Sequence, residues 1–195
     1  MPTLKLTRLK IFSFIGLFIV FFVFFLMVWL FIKLYYAYII SYLSAKIVCF
    51  LRGFSIKHFL IKGDDILLVV SRPVITVKGY ADLDINLQTK VSNFTFNVPL
   101  TLALLCSIRS ILRFSWRVFF EAFLLLLIIH FLFMFLFVDT YLISFLNKNV
   151  FNIFQVIEEY LWAFVDNLLI RFEPFLISIY VLIREKILFT PVRSR

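Results

Sequence analysis

Cys106, His130 and Arg109 are the residue types from which a thiol nucleophile, its base and a hydrogen-bond donor to an oxyanion are made. Glu121 and His130 place a carboxylate and an imidazole inside an apolar run, where burying charge is costly and ionisable groups usually serve a purpose. Spacing argues against a joint role. Glu121 and His130 are nine positions apart, which at about 100° per residue puts them on opposite faces of one helix. By helix rise His130 lies roughly 13 Å deeper than Cys106, beyond the reach of a thiol–imidazole pair. The expected roles are therefore structural. Glu121 sits about one turn from an arginine-rich connection and is expected to pair with Arg109, Arg113 or Arg117, pinning a helical hairpin. His130 is expected as a neutral imidazole bonded to a neighbouring hydroxyl or carbonyl, and Cys106 as a small packing residue. Cys49 and Cys106 fall at different depths, so no disulfide is expected; no spacing suits a metal, and no cofactor is implied.

The elements that must hold these residues belong in a membrane. Residues 11–32 carry no charge, between Arg8 and Lys10 on one side and Lys33 on the other. As a helix they reach roughly 33 Å, enough for a hydrocarbon core of about 30 Å. The run is too long for a cleaved signal peptide and reads as an uncleaved anchor. Residues 1–10 form a basic N-terminus that the positive-inside rule places in the cytoplasm. Residues 33–57 read as an interfacial helix, with Tyr35, Tyr36, Tyr38 and Tyr42 at headgroup depth and Lys46 and Arg52 leaving the apolar phase.

From His58 to Asn97 the pattern changes to period two. Leu83, Ile85, Leu87 and Val91 alternate with polar residues, as in a strand buried on one face. Lys62-Gly63-Asp64-Asp65 reads as a turn, and Arg72-Pro73 as a break between strands. The expectation is a small extracytoplasmic antiparallel β module of three or four strands, because an open sheet edge has no place in lipid. Asp64, Asp65, Asp82, Asp84 and Lys90 form its expected partner-contact surface.

A short second span is expected over 98–112, with Pro99 in its first turn, followed by a cytoplasmic Arg-rich turn at 113–117. A third covers 118–138, closed outside by Asp139. Within 139–172, Asn152, Gln155, Glu159 and Asp166 read as the polar stripe of an interfacial helix with Trp162 opposite. A shorter fourth span fits 173–190, after Glu173-Pro174, before a basic C-terminus at 191–195. The fold class is thus an α-helical membrane protein of three or four spans, with the β module between the first and second.

Composition supports that class. Hydrophobic residues make up 64% of the 195, against about 45–50% in soluble domains. The net charge of +9 sits at the ends of apolar runs, where it orients helices and meets headgroups; no basic stripe suits nucleic acid. Transport by this chain alone is not expected, since it shows no inverted repeat and no pair of broken spans.

Two resemblances bear on function. Cys106-Ser107-Ile108-Arg109-Ser110 resembles the nucleophile segment of exosortases, multi-spanning cysteine transpeptidases whose motif reads A-C-S-G, an apolar residue and Arg. Here Leu105 stands in the Ala position and the Gly is missing. A second resemblance covers more of the chain. The order of basic N-terminus, long span, β-patterned segment and short apolar hairpin is similar to the small membrane proteins associated with exosortase H, a sorting enzyme of Gram-negative bacteria. Asn97-Val98-Pro99-Leu100-Thr101-Leu102-Ala103-Leu104-Leu105 is similar to that family's Leu-Pro-Leu-x-x-Ala-Leu-x-Leu run. The resemblance implies a non-enzymatic, multi-pass inner-membrane accessory whose partners are the lipid bilayer and an exosortase or its sorted substrates. The alternatives are a thiol transpeptidase using Cys106 and a subunit of a transport or envelope-assembly complex.

Overall fold

A computed structural model of the chain describes residues 8–77, 79–112, 114–146 and 153–188. In chain order they form α1 (Arg8–Arg52), β1 (Ser55–Lys62), β2 (Asp65–Thr76), β3 (Gly79–Lys90), α2 (Ser92–Thr95), α3 (Asn97–Leu112), α4 (Trp116–Leu146) and α5 (Ile153–Phe164). A π-helical turn, Val165–Leu169, then leads into α6 (Ile170–Leu188). The protein is mostly helical, with one small antiparallel sheet. Among the described residues two helical stretches are long and apolar enough to cross a membrane, Ile11–Arg52 and Trp116–Leu146. The chain divides into a helical unit (Met1–Phe31, Phe96–Leu127, Phe172–Arg195) and a sheet unit (Ile32–Thr95, Ile128–Arg171).

In the helical unit, α1 shows apolar side chains all round: Phe12, Ile19, Val23, Met27 and Phe31 are exposed, and Trp29 alone is buried among residues 11–31. A helix apolar on every face is one that lipid solvates. Two other helices there bury a stripe at four-residue spacing, Val118, Ala122 and Leu126 on α4 and Glu173, Ile177 and Val181 on α6. Phe120 and Leu124, like Phe175 and Ile179, stay exposed. Small buried residues such as Ala103, Ser107 and Ala122 allow close backbone approach, the packing mode of helices that lack a hydrophobic drive to associate.

The sheet unit is built differently, around a compact core. Its strands run β1-β2-β3, all antiparallel. Three buried pairs face each other across β2 and β3: Ile66 with Thr89, Leu68 with Leu87, and Val70 with Ile85. Cross-strand pairs of this kind fix register, since a one-residue slip would turn them all to water. The first hairpin turns at Gly63, whose φ of +63° costs glycine nothing. Asp64 then ties the turn to α2: its carboxylate accepts the Ser92 amide at 3.1 Å and the Ser92 hydroxyl at 2.5 Å. The second half of α4 belongs to the same unit, with Phe133, Met134, Phe137, Val138 and Leu142 buried. Phe59 of β1 meets Tyr38 and Tyr42 of α1 edge-on at 5.2 and 5.5 Å. Arg52 reaches Asp139, and Ser44 donates to the Phe131 carbonyl, each across 87 positions, so α1 and α4 run parallel in this unit.

Three expectations need correction. The helix expected over 33–57 continues α1 but stops at Arg52, and residues 55–57 already belong to β1. Its buried stripe of Ala37, Ser41, Ser44, Ala45 and Val48 packs on protein, and the tyrosines flank that stripe. The helix ends where Gly53 takes φ +69° and the Phe54 amide donates back to the Cys49 carbonyl at 2.8 Å, the closure that glycine-terminated helices use. The break expected at Arg72-Pro73 is absent, and β2 runs through it to Thr76. Strand β1 pairs with β2 only as far as Ser71, so from Arg72 onward one edge of β2 is unpaired and a missing donor is tolerated. Asp139 does not close the third helix, which continues to Leu146 with Asp139 buried inside it.

Lys57, at a bulge in β1, bridges Asp82 at 3.1 Å and Asp84 at 2.8 Å on β3. Hydrogen bonds from Lys57 and then Ser71 hold the Asp84 carboxyl below its ordinary value. A carboxylate lowered in the folded state adds stability at neutral pH that is lost as pH falls through the lowered value. The protection factors of amides in β1 and β3, taken relative to the intrinsic exchange rate at each pH, are therefore expected to fall on acidification through and below the normal carboxylate range. A D82N/D84N variant is expected to show no such step.

Candidate functional site

Within the sheet unit three polar assemblies surround the core. The first is buried. The Tyr36 hydroxyl lies 2.6 Å from Nδ1 of His130, whose ring is fully buried and meets Phe94 edge-on at 5.8 Å. Phe94, also fully buried, stacks on Phe133 at 5.5 Å. The second is an ion network: Arg52 Nε and Nη2 donate to the two oxygens of Asp139 at 2.7 and 2.9 Å, and Nη2 also reaches Glu158 at 3.1 Å. A bidentate guanidinium–carboxylate contact fixes direction as well as charge. It joins the end of α1 to α4 and α5.

The third is a groove of about 560 Å³. One wall is aromatic: Phe133, Phe137 and Tyr141 from α4 and Trp162 from α5. Their rings lock one another, with Trp162 at 4.9 Å from Phe133 and 5.6 Å from Phe137, and Phe137 at 4.8 Å from Tyr141. The remaining lining is polar, from Asp65 of β2, Gln88, Thr89 and Lys90 of β3, Asn93 of α2 and Asp166 of the π-helical turn. The groove thus combines aromatic and polar side chains, the two kinds of group from which ligand sites are built.

In the helical unit Glu121 accepts from the Tyr180 hydroxyl at 2.8 Å and from Arg184 Nε at 3.4 Å. Arg109 donates to the Phe114 carbonyl at 2.5 Å and stands 3.9 Å over the Trp116 ring, closing the turn between α3 and α4. Cys106 is half-buried on α3, and its carbonyl accepts from the Ser110 hydroxyl at 2.9 Å.

A family model described as exosortase H-associated membrane protein matches residues 8–177. The chain belongs to that family. Comparison with curated proteins and with solved structures gave no match.

In this exosortase H-associated protein the residues singled out from sequence are dispersed. Glu121 pairs with α6, where Arg109, Arg113 or Arg117 was expected. Arg109 is engaged with its own turn, Arg117 is exposed, and Arg113 lies outside the described residues. The expected contact surface divides into three. Asp64 is occupied by Ser92, Asp82 and Asp84 by Lys57, while Asp65 and Lys90, directly opposite each other across the strands, line the groove. Trp162 and Asp166, expected on opposite faces, line that groove together; four positions along a helix is about one turn. The sequence reading missed the Arg52–Asp139 pair and the packing of Tyr36 and Phe94 on His130. Charges at the ends of two apolar runs of sequence were the available signal for Arg52 and Asp139. Among the described residues no cluster of His, Cys, Asp and Glu suits a metal ion.

Proposed function

We propose that this member of the family is a non-enzymatic, multi-pass accessory of an exosortase-type sorting system in the bacterial inner membrane. In this reading α1, α3, α4 and α6 cross the membrane. The N-terminus and the Arg-rich connection at 113–117 face the cytoplasm, and the β module faces outward. The open edges of a three-stranded sheet favour that placement, since unpaired backbone groups are intolerable in lipid. One observation supports an accessory over an enzyme. The groups able to do chemistry are committed to structural partners: His130 to Tyr36, Glu121 to Tyr180 and Arg184, and Arg109 to its turn and Trp116.

The sheet unit is the surface offered to the exosortase or to its substrates, with Asp82 and Asp84 on its exposed side. The full chain, extracted in mild detergent, is expected to co-purify with an exosortase from the same membrane. Reversing both charges (D82K/D84K) is expected to weaken that capture, and Cys106→Ala to leave substrate processing unchanged. Loss of processing in Cys106→Ala at normal protein levels would instead establish the thiol transpeptidase.

A further inference from the structure

In the sheet unit the carboxylates of Asp64, Asp82, Asp84, Asp139, Glu158 and Glu159 each hold a protein partner. Asp65 and Asp166 hold none among the described residues, and both line the aromatic groove. Lys90, in the same lining, is likewise unpaired among the described residues. Unsatisfied charges of both signs thus converge on one concavity walled by Trp162 and Tyr141.

We propose that this groove is a headgroup site for a phospholipid bearing a primary ammonium, phosphatidylethanolamine. An ammonium group fits between the free carboxylates and the face of an aromatic ring, which attracts cations through its quadrupole. The phosphodiester fits Lys90, whose ammonium is a compact phosphate partner. Gln88 and Asn93 supply amides that can donate to ester or phosphate oxygens. A purely anionic headgroup would satisfy Lys90 but face two carboxylates, so the lining selects a zwitterion.

Helix α5 favours a lipid as the source of that headgroup. It buries none of its residues, and Phe154, Ile157, Tyr160 and Phe164 stand exposed along it. A helix so composed lies at the boundary of headgroups and acyl chains. Trp162 on the same helix lines the groove, so one element serves both the polar and the apolar parts of a single lipid.

The test uses the full chain in detergent micelles doped with equal amounts of phosphatidylethanolamine and phosphatidylglycerol, with lipid retained after gel filtration quantified by mass spectrometry. The wild-type protein is expected to enrich phosphatidylethanolamine about fivefold or more, the factor that one charge-assisted contact of about 1 kcal/mol gives. Asp166→Asn is expected to erase most of that preference. Lys90→Gln is expected to lower retention of both lipids with little change in their ratio. Both side chains line the groove and are unpaired, so the variants keep the fold. Equal retention of the two lipids, or a preference unchanged in Asp166→Asn, overturns the proposal. Two competitors separate other sources. Displacement at equal concentration by glycerophosphoethanolamine would assign the groove to a free headgroup, and displacement by a short oligolysine to a basic protein segment; either result overturns the lipid assignment.

Discussion

Replacing Phe94 by alanine is expected to destabilise the sheet unit by about 3–5 kcal/mol, the range for deleting a large aromatic ring from a packed core. Phe94 is fully buried, stacked on Phe133 and set edge-on to His130. Its loss removes dispersion contacts from both rings and leaves a cavity that the surrounding helices cannot close. The hydrogen bond between Tyr36 and His130 loses its apolar cover as well. Amide exchange at Ile66, Leu68 and Val70, the central residues of β2, measures the effect. Protection there should fall by more than a hundredfold, since each 1.4 kcal/mol is a factor of ten. Phe94→Leu, which keeps most of the volume, should lose considerably less. Equal protection in the alanine variant and the parent would mean that Phe94 is not part of the core.

The second large effect is expected at the ion network. Arg52→Leu leaves the Asp139 carboxylate without its guanidinium, and that side chain is only 9% exposed. Stranding one member of a buried pair costs about 3–5 kcal/mol, but Arg52 is 35% exposed, so solvent screening reduces the expected loss to about 2–3 kcal/mol. Asp139→Leu should cost less, because Arg52 keeps Glu158 at 3.1 Å and has some access to water. The double variant, Arg52→Leu with Asp139→Leu, should recover part of the loss, since replacing both members removes the stranded charge. Thermal unfolding of the four proteins in one detergent measures the coupling. Strictly additive losses would show that the two side chains act independently.

Local patterns were readable from sequence, and long-range pairings were not. The alternation of Leu83, Ile85, Leu87 and Val91 predicts one buried face of β3, and the structure buries Ile85, Leu87 and Val91. Lys62-Gly63-Asp64-Asp65 is a hairpin turn in both. These signals lie within a few residues of their physical cause. The end of α1 was obscured because tyrosines and Lys46 have the composition of a membrane boundary, whereas in the structure a stripe of small residues binds that stretch to the sheet unit. The π-helical turn before α6 similarly hides in sequence: Glu173-Pro174 suggests a fresh start, yet the helical path continues through both. Arg52 with Asp139, and Glu121 with Tyr180 and Arg184, join positions far apart in the chain, so no local period announces them. The groove belongs to the same class. Its lining comes from β2, β3, α2, α4, α5 and the π-helical turn, and its free carboxylates stand out only once their neighbours are seen to be paired.

Pro73 sits where β2 outruns its β1 neighbour, on a two-stranded ribbon whose tip exposes Ile75, Val77 and Tyr80. A bare apolar ribbon invites chance pairing between molecules crowded in the plane of a membrane. Proline offers no amide hydrogen to an incoming chain, and the adjacent Arg72 adds charge. The protein thereby gains a safeguard against filament growth at the point where its backbone is least protected.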